Sequence, residues 1–211
     1  CISSDYVRSL ALDSQHRLGI GTINSLNIYN EQEDNFNIYT SDPLENGSLS
    51  QMSVRNIFMD TQGGMWLGTY FGGINYYHPL KNRFRNLQFT AKPNSLNSNI
   101  INCIREDAQK GLWIGTNGGG VNYYNPQTGK FTHYTQKEGL GSNDVKAIYI
   151  DEANKQVYIG THTGGLSILH RRSGQIETYN RNSREKNIYA IEPTETGDFW
   201  MSGMSSILRF N

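Results

Sequence analysis

Cysteine, proline, net charge and long apolar runs are all scarce in this sequence. Its 211 residues hold two cysteines, Cys1 and Cys103, in no recognisable motif. That excludes a disulfide-dense scaffold and a cysteine-based zinc site. Nineteen basic side chains balance nineteen acidic ones, so the electrostatic footprint of a general nucleic-acid binder is missing. No apolar run approaches the length of a spanning helix. No signal peptide opens the chain, so an export signal is expected to be removed or to lie outside these residues. Against five Pro stand 22 Gly, 13 Tyr and 23 Asn. Turn formers combined with strand-favouring aromatics predict an all-β protein.

A repeat organises the chain. Five segments align: VRSLALDSQHRLGIGT (7–22), VRNIFMDTQGGMWLGT (54–69), INCIREDAQKGLWIGT (101–116), VKAIYIDEANKQVYIGT (145–161) and IYAIEPTETGDFWMSG (188–203). Taking Gly21, Gly68, Gly115, Gly160 and Gly203 as anchors gives spacings of 47, 47, 45 and 43. An apolar landmark follows at Phe36, Phe84, Phe131 and Ile176. Each unit reads as four short strands, A to D, without a helical period. Strand A ends in a polar turn such as Asp107–Gly111, strand B is LWIGT, a Gly-Gly turn leads to strand C (VNYY), and strand D is KFTHY. Four antiparallel strands per repeat of this length predict β-propeller blades, at about 5–50, 51–97, 98–141, 142–184 and 185–211. The fifth unit stops at its strand C. One partial propeller, a piece of a larger ring, is therefore expected, with a closed five-bladed ring as the alternative.

The phased Trp, Gly-Thr and Gly-Gly of SNIINCIREDAQKGLWIGTNGGGVNYY (98–124) resemble the two-component regulator propeller repeat. Residues 51–77 fit nearly as well, 142–169 carry Tyr158 in the Trp place, and the outer units fit loosely. The resemblance implies the periplasmic sensor region of a hybrid two-component system, whose relatives in gut anaerobes respond to polysaccharide fragments. Such receptors carry seven-bladed propellers, an immunoglobulin-like domain, a membrane helix and a cytoplasmic histidine kinase. It also implies homodimeric signalling and control of polysaccharide-utilisation genes. No phospho-accepting His motif or ATP-binding glycine box occurs in these residues.

Several residue patterns have a plainer reading than chemistry. The Gly-Thr-x-x-Gly-Gly stretches lead into strands, whereas a phosphate loop opens a helix. Asp13, Asp60, Asp107 and Asp151 stand alone in their units, which suits hydrogen bonding of the A–B turn better than calcium. Trp66, Trp113 and Trp200 are expected to pack between sheets. The five histidines share no ligand spacing, so no metal and no cofactor is expected. Asn46-Gly-Ser48 is a sequon expected to be silent, and Lys81, Arg83 and Arg85 are expected to guard an outer edge strand.

Residues that vary on a constant frame are better candidates for function. They lie in the B–C turns and D–A loops, which leave a blade at one rim. Tyr70, Phe71, Asn117 and His162 represent the turns, and Asn97, Asn99, Asn143 and Asp144 the loops. Asn and aromatic side chains together suit a carbohydrate, so an oligosaccharide ligand is expected, without catalysis. The alternatives are a structural or dimerisation propeller, and a propeller lyase or glycosidase.

Overall fold

The structure, a computed structural model, describes residues 1–42, 44–45, 47–78, 84–90, 92–179, 185–194 and 197–210. Asn46, Lys81 and Arg83 lie outside the described residues. The elements are all β. A first sheet runs in the order β1 (Val7–Leu12), β2 (Leu18–Thr22), β3 (Leu26–Asn30) and β4 (Asn35–Tyr39). The second repeats this with β5 (Val54–Met59), β6 (Met65–Thr69), β7 (Ile74–Tyr77) and β8 (Phe84–Leu87). The third holds β9 (Ile101–Glu106), β10 (Leu112–Thr116), β11 (Val121–Asn125) and β12 (Lys130–Tyr134). The fourth holds β13 (Val145–Asp151), β14 (Gln156–Thr161), β15 (Gly165–His170) and β16 (Ile176–Tyr179). The last has three strands, β17 (Ala190–Pro193), β18 (Phe199–Ser202) and β19 (Ile207–Phe210). Neighbouring strands pair antiparallel, as hairpins of consecutive strands must.

Two compact units divide the chain, Cys1–Ile104 and Arg105–Asn211. In the first unit, Leu26 and Ile28 of the first sheet and Leu49 of the following loop pack on Val54, Ile57, Met65 and Leu67 of the second. In the second unit, Tyr158, Leu166 and Ile168 of the fourth sheet pack on Ile188, Ile191, Phe199 and Met201 of the fifth. Each interface joins strand C of one sheet, with Tyr158 of strand B in the second unit, to strands A and B of the next. This explains why strand B is buried at every position in the second and third sheets.

The anchor glycines let sheets approach closely. A Cβ on Gly68 would lie 2.7 Å from Ile101 Cγ2, and one on Gly160 would lie 2.7 Å from Ile188 Cγ2. Strand register corrects the fifth anchor. Gly21, Gly68 and Gly160 pair with Ser9, Asn56 and Ala147, and the residue paired in that way with Ala190 is Ser202. Gly203 takes the place of the threonine. Glycine identity misled the alignment here; the pairing is what sets the position.

Trp200 also departs from expectation. Trp66 and Trp113 are 6% and 3% exposed, whereas Trp200 is 49% exposed. Trp113 has Tyr134 of its own strand D stacked 5.8 Å away and Arg171 of the fourth sheet over its ring at 5.7 Å. Among the described residues, the Arg209 guanidinium is the one cation near the Trp200 face, at 6.0 Å. The three-stranded sheet supplies no counterpart of Tyr134.

Candidate functional site

One end of each of the first four sheets is organised by an A–B turn aspartate. Asp60 Oδ1 accepts hydrogen bonds from the N–H groups of Gln62 and Gly64, at 2.9 and 2.7 Å, and Oδ2 accepts the Trp66 indole N–H at 2.8 Å. Asp107 repeats this with Gln109, Gly111 and Trp113, at 3.0, 2.8 and 3.1 Å. Asp13 lacks a tryptophan partner because Gly19 stands there, and the Arg17 guanidinium donates to Oδ2 instead, at 2.7 Å. Asp151 binds the backbone and amide of Asn154. These carboxylates are turn acceptors, as the plainer reading held. What sequence reasoning missed is the aspartate–tryptophan bond, legible only as a phased Asp and Trp six residues apart.

Arg171 crosses from the fourth sheet to Asp107 Oδ2 at 2.9 Å, Gln109 Oε1 at 2.7 Å and Glu152 Oε2 at 3.0 Å. Burial alone would raise the Glu152 carboxyl. The Ala108 N–H, Lys155 and Arg171 outweigh it and hold the group below the usual carboxylate range. Tyr123 beside this network is pushed up, by burial and then by the Asp107 charge.

The opposite rim has a frame that recurs with little change. Thr22, Thr69, Thr116 and Thr161, all 0% exposed, donate their hydroxyls across the B–C turn to Ser25, Gly73, Gly120 and Gly165 carbonyls. That is the physical content of Gly-Thr. The second glycine of each Gly-Gly pair has positive φ, 74° at Gly73 and 71° at Gly120. Side chains there would strain the backbone and meet a strand D carbonyl. On strand C, fully buried Asn27, Asn75 and Ser167 accept the N–H of Ser3, Ser50 and Gly141 in the entering loop. In the segment before the first strand and in the four D–A loops, a side-chain oxygen accepts the N–H two residues on. The pairs are Ser4 to Tyr6, Gln51 to Ser53, Ser98 to Ile100, Ser142 to Asp144 and Glu185 to Asn187.

Several of the residues singled out from sequence belong to this frame. Asn99 accepts the Gly73 N–H on its backbone carbonyl at 3.1 Å and the Phe89 N–H on Oδ1 at 2.6 Å. Asn143 does the same for Gly120, at 2.9 Å, and Gln136, at 2.8 Å. Both amide oxygens are thus engaged in tying a loop to a turn. Asp144 pairs with Lys146 at 2.9 Å, and its backbone carbonyl accepts the His162 N–H at 2.8 Å. Asn97 and Asn117 are half-buried.

Of the turn positions, Tyr70 and Phe71 differ from the frame in being exposed. In the first unit Tyr70 is 38% and Phe71 58% exposed, with their rings edge to face at 4.2 Å between centroids. The Arg55 guanidinium lies 5.2 Å over Tyr70. Exposed Phe89 follows Gln88, whose amide donates to the Gly72 carbonyl at 3.0 Å, so it borders the same turn. In the second unit His162 is half-buried, and its Nδ1 lies 3.4 Å from the Tyr189 hydroxyl. The first unit therefore holds Tyr70, Phe71, Asn97 and Asn99. The second holds Asn117, Asn143, Asp144 and His162.

Glu185, not foreseen from sequence, seats its carboxylate in the turn of the fifth sheet. Oε2 accepts the Met204 N–H at 3.0 Å, the Ser205 N–H at 3.4 Å and the Ser206 hydroxyl at 3.2 Å. The Asn187 N–H, then the donors of this turn, hold the carboxyl below the usual range. A depressed carboxyl stabilises the fold fully above its unfolded value, about 4.3 for glutamate, and loses that contribution as pH falls through the folded value. Glu185→Gln is expected to speed amide exchange of Met204 and Ser205 relative to wild type at pH 7. The difference should shrink as the wild-type carboxyl is protonated. Equal protection at pH 7 overturns the role.

Among the described residues no cluster of three or more His, Cys, Asp or Glu is placed to hold a metal. No helix there is long and apolar enough to cross a membrane.

Comparison with known proteins agrees with this architecture. The two component regulator propeller model matches residues 48–71 and 95–118, each running from a D–A loop through strands A and B into the B–C turn. No curated protein matches the sequence. The crystal structure of the extracellular domain of BT3049 from B. thetaiotaomicron, named for a hybrid two component system, aligns over 100% of this chain with a TM-score of 0.88 and 26% identity. That of BT4673 from the same organism, named for a one component system, aligns over 100% at 0.76 and 23%. PorZ, a surface component of the type-IX secretion system of Porphyromonas gingivalis, aligns over 96% at 0.67 and 14%, and shows the fold alone. The chain spans only 29%, 28% and 32% of these three chains. Two segments of this chain therefore match the two component regulator propeller repeat, and the chain has the fold seen in the extracellular domains of BT3049 and BT4673.

Proposed function

We propose that this chain is a periplasmic ligand-sensing segment of a two-component sensor, that it recognises an oligosaccharide at the rim of its B–C turns and D–A loops, and that it does no chemistry itself. The exposed Tyr70–Phe71 pair carries this reading. Everything around the pair is held in place, by the Thr69 hydroxyl, the Gly73 backbone and Asn99. The two aromatic side chains face water, 38% and 58% exposed, with exposed Phe89 at the border of the same turn. Flat rings that cost little entropy to immobilise match the C–H faces of pyranose rings, and neighbouring amides match their hydroxyls.

Signalling then requires the ligand to favour one arrangement of a dimeric receptor over another, since equal binding to both shifts nothing. The kinase that reads this change, and the polysaccharide-utilisation genes it controls, lie beyond these residues.

A thermal-shift screen against plant and host oligosaccharides tests the reading. A ligand at one hundred times its Kd adds about 2.7 kcal/mol to the folded state. Tyr70→Ala and Phe71→Ala are expected to lower affinity at least about tenfold, a loss of about 1.4 kcal/mol in binding. Both are surface changes and should move stability by only about 0.5 kcal/mol. Dimerisation with no ligand-dependent shift would favour a structural role, and turnover of a hit would make the chain an enzyme.

A further inference from the structure

The first sheet breaks the repeat at one place. In the second and third sheets three positions hold Gly, Trp and Tyr. Trp66 pairs across strands with Tyr76 and Trp113 with Tyr123, with ring centroids 4.3 and 4.7 Å apart. A Cβ on Gly64 or Gly111 would run into those tyrosine rings. The same register in the first sheet holds Arg17, Gly19 and Ile28: Gly19 pairs with Ile28, and the Arg17 N–H donates to Asp13 Oδ1 at 2.9 Å, as Gly64 and Gly111 donate to theirs. The ring pair is gone, and a guanidinium has replaced the smallest residue.

Arg17 lies on the wall of a cleft of about 400 Å³, lined also by Gln15, Asn30, Glu31, Gln32 and Asn37. That volume falls within the ordinary range of small-ligand sites, roughly 300–1,000 Å³. Four of its six side chains are carboxamides. Asn30 Oδ1 is spent on the Gln32 N–H at 3.1 Å. The amides of Gln15, Gln32 and Asn37 make no hydrogen bond among the described residues. The Arg17 charge is spent too, on Asp13 Oδ2 through both Nε and a terminal nitrogen, each at 2.7 Å. Glu31 is left as the one uncompensated charge on the wall.

We propose that this cleft is a second binding site, for a neutral saccharide. Each carboxamide offers one acceptor and two donors, the complement of vicinal hydroxyls. The lining has no aromatic or aliphatic wall for an apolar ligand. Glu31 opposes an anion, and the neutralised Arg17 does not attract one, so uronates and phosphates are rejected. The site uses residues at the turn end of the first sheet, none of them shared with the Tyr70–Phe71 rim, and stands or falls apart from that reading.

Side-chain amide signals in a nitrogen–proton correlation spectrum report on this site directly. Cellobiose and lactose serve as neutral probes and digalacturonate as the acidic one, titrated to 10 mM or about that. A neutral probe is expected to shift the NH₂ signals of Gln15, Gln32 and Asn37 while leaving that of Asn154, outside both candidate sites, unmoved. Asn37→Ala and Gln32→Ala, both exposed, should each weaken that response at least about fivefold without changing the rest of the spectrum. Phe71→Ala should leave it intact. The proposal is overturned if no neutral probe shifts these amides, if digalacturonate shifts them more, or if Asn37→Ala binds as wild type does. Loss of the response in Phe71→Ala would also overturn it, by assigning the sugar to the rim.

Discussion

Asp107→Ala is expected to be the most damaging single truncation of a polar residue in residues 105–211, lowering stability by about 3–5 kcal/mol in chemical denaturation. Its side chain is 0% exposed and accepts four hydrogen bonds, from two turn N–H groups, the Trp113 indole and Arg171. Removing it takes one of two carboxylates from a guanidinium that is only 16% exposed, leaving it Glu152 and Gln109, and strands three N–H donors. The equivalent Asp60→Ala strands no arginine and should cost about 1–3 kcal/mol. A double-mutant cycle separates the terms. Arg171→Met alone should be costly, because it leaves Asp107 and Glu152 without their shared cation, yet in the Asp107→Ala background it should cost much less. If the two losses simply add, Arg171 does not depend on Asp107 and the network is a set of independent contacts. The Trp113 fluorescence transition and hydrogen exchange at Ala108, whose N–H bonds Glu152 at 2.8 Å, give independent readouts.

Gly164→Ala should destabilise by about 3 kcal/mol or more, beyond the usual cost of overpacking. Gly164 in the B–C turn and Gly141 in the D–A loop meet backbone to backbone. A Cβ on Gly164 would lie 2.6 Å from the Gly141 carbonyl oxygen and 2.5 Å from the Ser142 nitrogen. Neither atom can rotate away, and the loop is pinned by the bond from the Gly141 N–H to Ser167. Gly141→Ala meets the Gly164 carbonyl in the same way and should cost as much. Gly118 provides the control. It has φ of 80° and nothing within 4 Å of its missing Cβ, so alanine there carries only the positive-φ penalty, about 1–2 kcal/mol. A loss at Gly164 no larger than at Gly118 would mean that the facing loop yields and that the close contact is not what requires glycine there.

The two experiments bear on different parts of one design. The Asp107 network fixes the turn end of neighbouring sheets in the second unit, and the glycine contact fixes a loop against the rim. The ligand contact proposed above rests on residues that neither effect constrains. That is why Tyr70 and Phe71 can be exchanged at little cost in stability while Thr69 and Gly73 between strands B and C cannot.

Periodicity alone determined the strand count, the order A to D and the turn chemistry, because alternation and Gly, Asn and Asp placement are local properties that survive without tertiary context. Phased Trp and Gly-Thr were specific enough to point to the family. Four things depended on the folded chain. Ser202 replaced Gly203 as the fifth anchor because strand pairing, not residue type, sets register. Trp200 lost its cover because burial is supplied by other strands, which no reading of a segment reveals. Asn99 and Asn143 proved to be loop ties because an amide's partner lies across a turn, in residues distant in sequence. The cleft beside Arg17 became visible only in the folded chain, because Gln15, Asn30, Gln32 and Asn37 come from separate turns and a strand that meet at one sheet end. A chain written as repeats reports what its units share; what distinguishes one unit from another is decided by neighbours, and those are assembled only in three dimensions.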